Sequence, residues 1–286
     1  MTSYPDLPAG QPLVLFFHGN SFPASTYNVM LNALHQRGMK VQALEKIGHN
    51  PAYPVTSNWP HLVEEIHAFA KPLIAAHSGP VVLVGHSLGG MLSLMLAAQY
   101  PRLAHAVVMV DAPALGGLRA KALHLSKTLT LTKKFSPGVV SQKRRITWIS
   151  LEEVHAHFLS KKVFARWDPQ VLNDYVLYGT HEEKTDEGVQ RVLSFDRNIE
   201  TQIYNSVPHN LERLLKKYPL ACPVSLVAAR HLNEMRLAGF DFSQKVTKGR
   251  ICTIDGTHLV PMEKPMVTAA AIEASILNML SLKASK

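Results

Sequence analysis

Residues 85–90 read Gly-His-Ser-Leu-Gly-Gly, so Ser87 has a residue without a side chain two places before it and another two places after. A serine hydroxyl is a poor nucleophile in water. It becomes useful where a base can take its proton and where preorganised N–H groups can receive the oxyanion formed by attack on a carbonyl. A sharp turn from a strand into a helix meets both needs, because it lifts the side chain above the sheet edge and aims the first helical N–H groups at the same point. Such a turn crowds its neighbours. Gly85 and Gly89 stand where side chains would clash, and Gly90 lets the helix approach the strand. Five residues of this pattern can arise by chance, but here an apolar run, Pro-Val-Val-Leu-Val, precedes the motif and an apolar helical stretch follows it, the placement this chemistry requires.

The elements that must hold Ser87 follow from the hydrophobic pattern. Apolar runs predict strands over 12–17, 40–48, 80–85, 105–111, 223–230 and 249–256. Helical spacing predicts a helix opened by Ser25 and stopped at Gly38. Another is capped by Asn58 or Ser57, has Pro60 in its first turn, and is kinked or shortened by Pro72. Further helices are expected over 88–100, 234–245 and 262–280. Strands apolar on both faces, each followed by a helix, imply an α/β fold: a mostly parallel central sheet of about six strands flanked by helices. After Asp111 the alternation stops and resumes near 221. The reading is therefore a core of 1–111 and 221–286 with a helical insertion, 112–220, forming a cap over the serine.

Three motifs in this order resemble those of the α/β-hydrolase family, over essentially the full length. Gly-His-Ser-Leu-Gly-Gly is similar to the family's nucleophile elbow. Phe-Phe-His-Gly-Asn-Ser-Phe (16–22) resembles its oxyanion loop, and Asp-Gly-Thr-His-Leu-Val-Pro-Met-Glu-Lys-Pro (255–265) its histidine loop. The resemblance implies Ser87 as nucleophile and His258 as base. It also implies an oxyanion hole from the N–H of Leu88 with that of Asn20 or Ser21. The family's usual acid position, after the penultimate strand, holds Leu232 or Asn233 here. Asp111, at the end of the strand after the nucleophile helix, is the expected acid, with Glu234 as the alternative and Asp241 or no acid behind it. His86 and His18 are expected to pack or to hold loops. A serine cannot replace the aspartate that relatives use to form alkyl esters, which excludes epoxide hydrolysis and dehalogenation. The implied activity is hydrolysis of carboxylic esters with small to medium acyl chains. Thioester or carbon–carbon bond hydrolysis and a non-catalytic ligand-binding role are the alternatives.

Composition narrows the rest. The 286 residues carry 30 Lys and Arg against 21 Asp and Glu, net +9. Eight of the basic residues lie between Ala112 and Leu151 with no acidic residue among them, and a helical stretch over 118–134 carries several. No finger, RNP or helix-turn-helix pattern accompanies them, so no nucleic-acid partner is expected. The plain reading is an amphipathic cap helix with a solvated basic face; weak contact with anionic lipid or an acidic substrate is the other. No apolar run approaches the ~20 residues that span a bilayer. The first residues have neither a basic start nor a long apolar stretch, so no signal peptide is expected and the compartment is read as cytoplasmic. Cys222 and Cys252 are expected to be small buried thiols. No cofactor motif or metal-ligand spacing is seen, and the expected partner is a small-molecule ester.

Overall fold

The computed structural model describes residues 10–112, 141–186, 188–230 and 240–284. The chain runs β1 (Leu13–Phe17), α1 (Asn28–Gln36), β2 (Lys40–Leu44), α2 (Pro60–Ala75), β3 (Val81–His86), α3 (Leu88–Gln99) and β4 (Ala106–Val110). An inserted region follows: β5 (Thr147–Trp148), α4 (Leu151–Leu159), α5 (Pro169–Tyr178), β6 (Thr180–Thr185), β7 (Gly188–Leu193), α6 (Arg197–Asn205) and α7 (Leu211–Lys217). The chain then returns with β8 (Val224–Ala229), α8 (Phe240–Thr247), β9 (Ile251–Ile254), the short α9 (Val260–Glu263) and α10 (Pro265–Ala284).

The six long-range strands form one sheet, ordered β2-β1-β3-β4-β8-β9, with every pairing parallel. Its four central strands are buried along their whole length because both faces are covered. Alternate residues enter opposite cores. Val14, Phe16, Val82, Val84, Val108 and Val110 meet α1 and α10, whereas Leu15, Phe17, Leu83, Val107, Met109 and Leu226 meet α2 and α3. Helix α3 is buried at every position from Leu88 to Ala98, since the sheet covers one side and α2 and α7 the other. Among the described residues no helix is long and apolar enough to cross a membrane.

Several local expectations change. Ser25 caps no α-helix: it lies in a 3₁₀ turn, Ala24–Tyr27, with its N–H and hydroxyl both donating to Glu45, and α1 begins at Asn28. The residue before α2 is Trp59, in the left-handed region at φ 58°, rather than Asn58 or Ser57 as a side-chain cap. Pro72 lies inside α2, which ends at Ala75, within one turn of it. Cys222 is buried, but Cys252 is exposed because β9 is an edge strand. The inserted region is not purely helical. It holds a three-stranded antiparallel sheet, β5-β7-β6. Its β6, Thr-His-Glu-Glu-Lys-Thr, is exposed from His181 onward, so no apolar run announces it. The basic helical stretch over 118–134 lies outside the described residues. Of the basic cluster, Arg144 is not solvated: it sits between the buried Glu200 and Tyr175.

Candidate active site

The strand-to-helix turn at Ser87 is built from backbone contacts. Its φ of 51° and ψ of −112° lie outside the ordinary regions, and its N–H donates to the Val110 carbonyl at 3.0 Å. A Cβ on Gly85 would collide with the Gly89 carbonyl, and one on Gly89 with the Phe17 carbonyl oxygen. Only glycines let α3 start this close to the ends of β1 and β3. The Gly89 N–H donates to the His18 carbonyl at 3.1 Å, fixing the loop after β1 beside the helix start. Leu88, as the first residue of α3, has an N–H that no helix can satisfy internally.

Asp111 occupies the corresponding place one strand over, where β4 ends. Its φ of 40° is again left-handed, and its N–H donates to the Val227 carbonyl at 2.7 Å. The carboxylate is buried. Oδ1 accepts the Ala229 N–H at 2.8 Å, and Oδ2 lies 2.7 Å from His258 Nδ1. A carboxylate can only accept, so Nδ1 carries the proton and Nε2 presents its lone pair to Ser87 Oγ, 3.0 Å away. The His258 side chain is 32% exposed and that of Asp111 6%, so the line runs from a buried acid to a solvent-reachable hydroxyl. The histidine loop is pinned by Glu263, whose carboxylate accepts both the N–H and the hydroxyl of Thr257, at 2.9 and 2.6 Å.

The turn from Gly19 to Phe22 is closed by the Phe22 N–H on the Gly19 carbonyl at 3.3 Å, and Ser21, with φ 79°, takes its left-handed position. Asn20 and Ser21 are buried, and the Asn20 amide donates to the Glu200 carbonyl of α6 at 3.0 Å. His18 holds this turn from beneath: Nδ1–H donates to the Gly19 carbonyl, and Nε2 accepts the Ile47 N–H, each at 2.8 Å. Burial drives its pKa down to about 4, so the ring is neutral.

The structure thus brings Ser87, His258 and Asp111 into one hydrogen-bonded line, beside Leu88 and the Asn20–Ser21 turn. Glu234 lies outside the described residues, and Asp241 is exposed in the first turn of α8. Sequence reasoning missed the residues that lock the inserted region onto this site. Arg144 donates to Glu200 Oε1 and to the Tyr175 hydroxyl. Phe22 packs edge-on against Trp167 and Tyr175, at 5.6 and 5.7 Å between ring centroids. The Asp168 N–H donates to the Met262 carbonyl at 2.9 Å. These partners lie tens to more than a hundred residues apart, and no local spacing signals them.

A sheet of this order carrying these three loops at one edge defines a class, and comparison places the chain in it: residues 14–271 match the alpha/beta hydrolase family, to which the protein belongs. Among its relatives are the 2-(acetamidomethylene)succinate hydrolase of Mesorhizobium japonicum, 32% identical over 104 residues, and lipase LipV of Mycobacterium tuberculosis, 33% identical over 115. The first alignment covers 35% of each chain; the second covers 40% of this chain and 42% of the lipase. The chain therefore spans well under half the length of these curated relatives. A crystal structure of E-2-(acetamidomethylene)succinate hydrolase superposes with a TM-score of 0.65 at 21% identity, covering 93% of this chain and 92% of that one.

Proposed function

We propose that the protein is a serine hydrolase that cleaves carboxylic esters of small to medium acyl chains through an acyl-enzyme intermediate. The observation that carries this reading is the line Ser87 Oγ, His258 Nε2, His258 Nδ1, Asp111 Oδ2, with spacings of 3.0 Å and 2.7 Å. Ser87 Oγ attacks the ester carbonyl carbon while its proton passes to His258 Nε2, and the imidazolium so formed is stabilised by Asp111. The carbonyl oxygen takes up the electron pair and meets the Leu88 N–H, with the N–H of Asn20 or Ser21 as second donor; each such donor typically contributes about 3 kcal/mol. As the tetrahedral adduct collapses, the alkoxide leaves with the proton from Nε2. Water then attacks the acyl-enzyme by the same route, giving the carboxylic acid and restoring Ser87.

The test is hydrolysis of p-nitrophenyl acetate and butyrate by the purified protein, with fluorophosphonate labelling of Ser87. Ser87→Ala should abolish labelling and lower kcat by about 10⁶-fold while the fold melts as before. Robust turnover in that variant defeats the nucleophile assignment. A series of acyl lengths, with an acyl thioester beside each ester, reads the leaving-group preference.

A further inference from the structure

A second chain of hydrogen bonds crosses the same rim. The Gly19 N–H donates to the Tyr27 hydroxyl at 3.0 Å; that hydroxyl lies 2.8 Å from His86 Nδ1; and His86 Nε2 lies 2.8 Å from the backbone carbonyl of His258. Gly19, Tyr27 and His86 are buried. The donor roles are forced, because a carbonyl only accepts. His86 must carry its proton on Nε2, so Nδ1 accepts from the Tyr27 hydroxyl, whose oxygen in turn accepts from Gly19. One end of this chain is the turn that leads to Asn20 and Ser21, and the other is the backbone of the histidine that faces Ser87.

An independent observation concerns Gly19. A Cβ there would lie 2.8 Å from His86 Nδ1 and 3.1 Å from the Tyr27 hydroxyl, so the pair fills the space that any other residue would need. His18, His258 and Asp111 are the other titratable groups facing His86, and burial holds His86 down to about 3. The ring is therefore neutral, in a single tautomer, across the working range of an ester hydrolase.

We propose that Tyr27 and His86 are positioning residues that clamp the Gly19–Ser21 turn to the His258 loop, fixing the spacing between the oxyanion donors and the base. This rests on the hydrolase reading above. The competing account is a pair of buried polar groups that merely satisfy each other, which would affect stability and not the chemical step.

Tyr27→Phe keeps the ring against Phe16 and deletes only the hydroxyl, leaving the Gly19 N–H without its acceptor and His86 Nδ1 without its donor. The expected result is a fall in kcat for p-nitrophenyl butyrate of about 10- to 100-fold with KM within about twofold, since loss of register weakens the transition state more than binding. His86→Phe should lose at least as much. His86→Gln, whose amide can donate to the His258 carbonyl and accept from Tyr27, should recover most of it. The double variant Tyr27→Phe/His86→Phe should be no worse than the poorer single one. Folded Tyr27→Phe and His86→Phe proteins with kcat within about twofold of the parent, or a loss that His86→Gln does not relieve, would overturn the clamp. Imidazole ¹⁵N shifts give a readout independent of turnover. His86 should show the Nε2–H tautomer in the parent protein and a mixture in Tyr27→Phe, and an Nδ1–H tautomer in the parent overturns the clamp. A parent protein inert toward esters defeats the hydrolase reading instead, leaving the tautomer measurement to decide the clamp's geometry.

Discussion

The rim at the C-terminal ends of β3, β4 and β9 and the insertion between β4 and β8 meet at the Gly19–Ser21 turn, yet they are held by different forces. At the rim, backbone groups fix the ends of β3 and β4 and the start of α3: Ser87 donates to Val110, Asp111 to Val227 and Gly89 to His18. In the insertion, side chains hold side chains. Arg144 joins Glu200 and Tyr175, and Phe158, Phe164, Trp167 and Tyr175 pack ring against ring at 4.6 to 5.6 Å. Strand ends fixed by their backbone keep their place when a side chain is exchanged, whereas the Gly19–Ser21 turn and the insertion, which side chains hold, do not.

That contrast predicts two opposite failures. Asp111→Asn retains an oxygen for the Ala229 N–H, so the rim should survive while the imidazole loses its anionic partner. The expected fall in kcat is about 10⁴-fold, near 5 kcal/mol, with little change in melting temperature. Measured beside it, Glu234→Gln should remain close to the parent; if only the Glu234 variant collapses, the acid is not Asp111.

In the insertion the order of effects reverses. Arg144→Met strips the cation from Glu200, which is fully buried and whose carboxyl burial already pushes up against the pull of Arg144. Leaving such a charge unpaired should cost about 3 to 5 kcal/mol of stability, read by urea unfolding. Adding Glu200→Gln should return much of it, because the uncompensated charge is then gone. A loss in Arg144→Met below about 1 kcal/mol, the range of exposed pairs, would mean that the aromatic packing alone holds the insertion.

The same division explains what the sequence discloses. The four central strands are legible because their apolar runs are short, continuous and buried on both faces, and the elbow because its glycines and serine fall within five residues. Asp111 was readable as the strand-end carboxylate expected to serve as acid, but its contact with His258, 147 residues away, is made only by the fold. The β6–β7 hairpin was missed because a strand exposed to water needs no apolar alternation. Tyr27 was missed because its part is set by one hydroxyl meeting a glycine N–H eight residues back and a histidine 59 residues on, a coincidence of fold and not of spacing.

The smallest predicted effect sharpens the comparison by pH. The rim's loop-holding imidazole, His18, is buried neutral at a pKa of about 4, against 6.5 in the unfolded chain. Between those values the unfolded chain binds a proton that the folded protein refuses. The stability tied to this ring is therefore complete above about pH 6.5 and is lost as pH falls toward 4. Unfolding free energy should drop by about 1 to 2 kcal/mol between pH 6.5 and 5 on account of this one group. His18→Asn, which has nothing to titrate there, should show a correspondingly shallower slope while being less stable at pH 8, having lost either the Gly19 or the Ile47 hydrogen bond. Equal slopes for parent and variant would mean that His18 is hydrated, and that the rim relies on charged or solvated side chains as much as the insertion does.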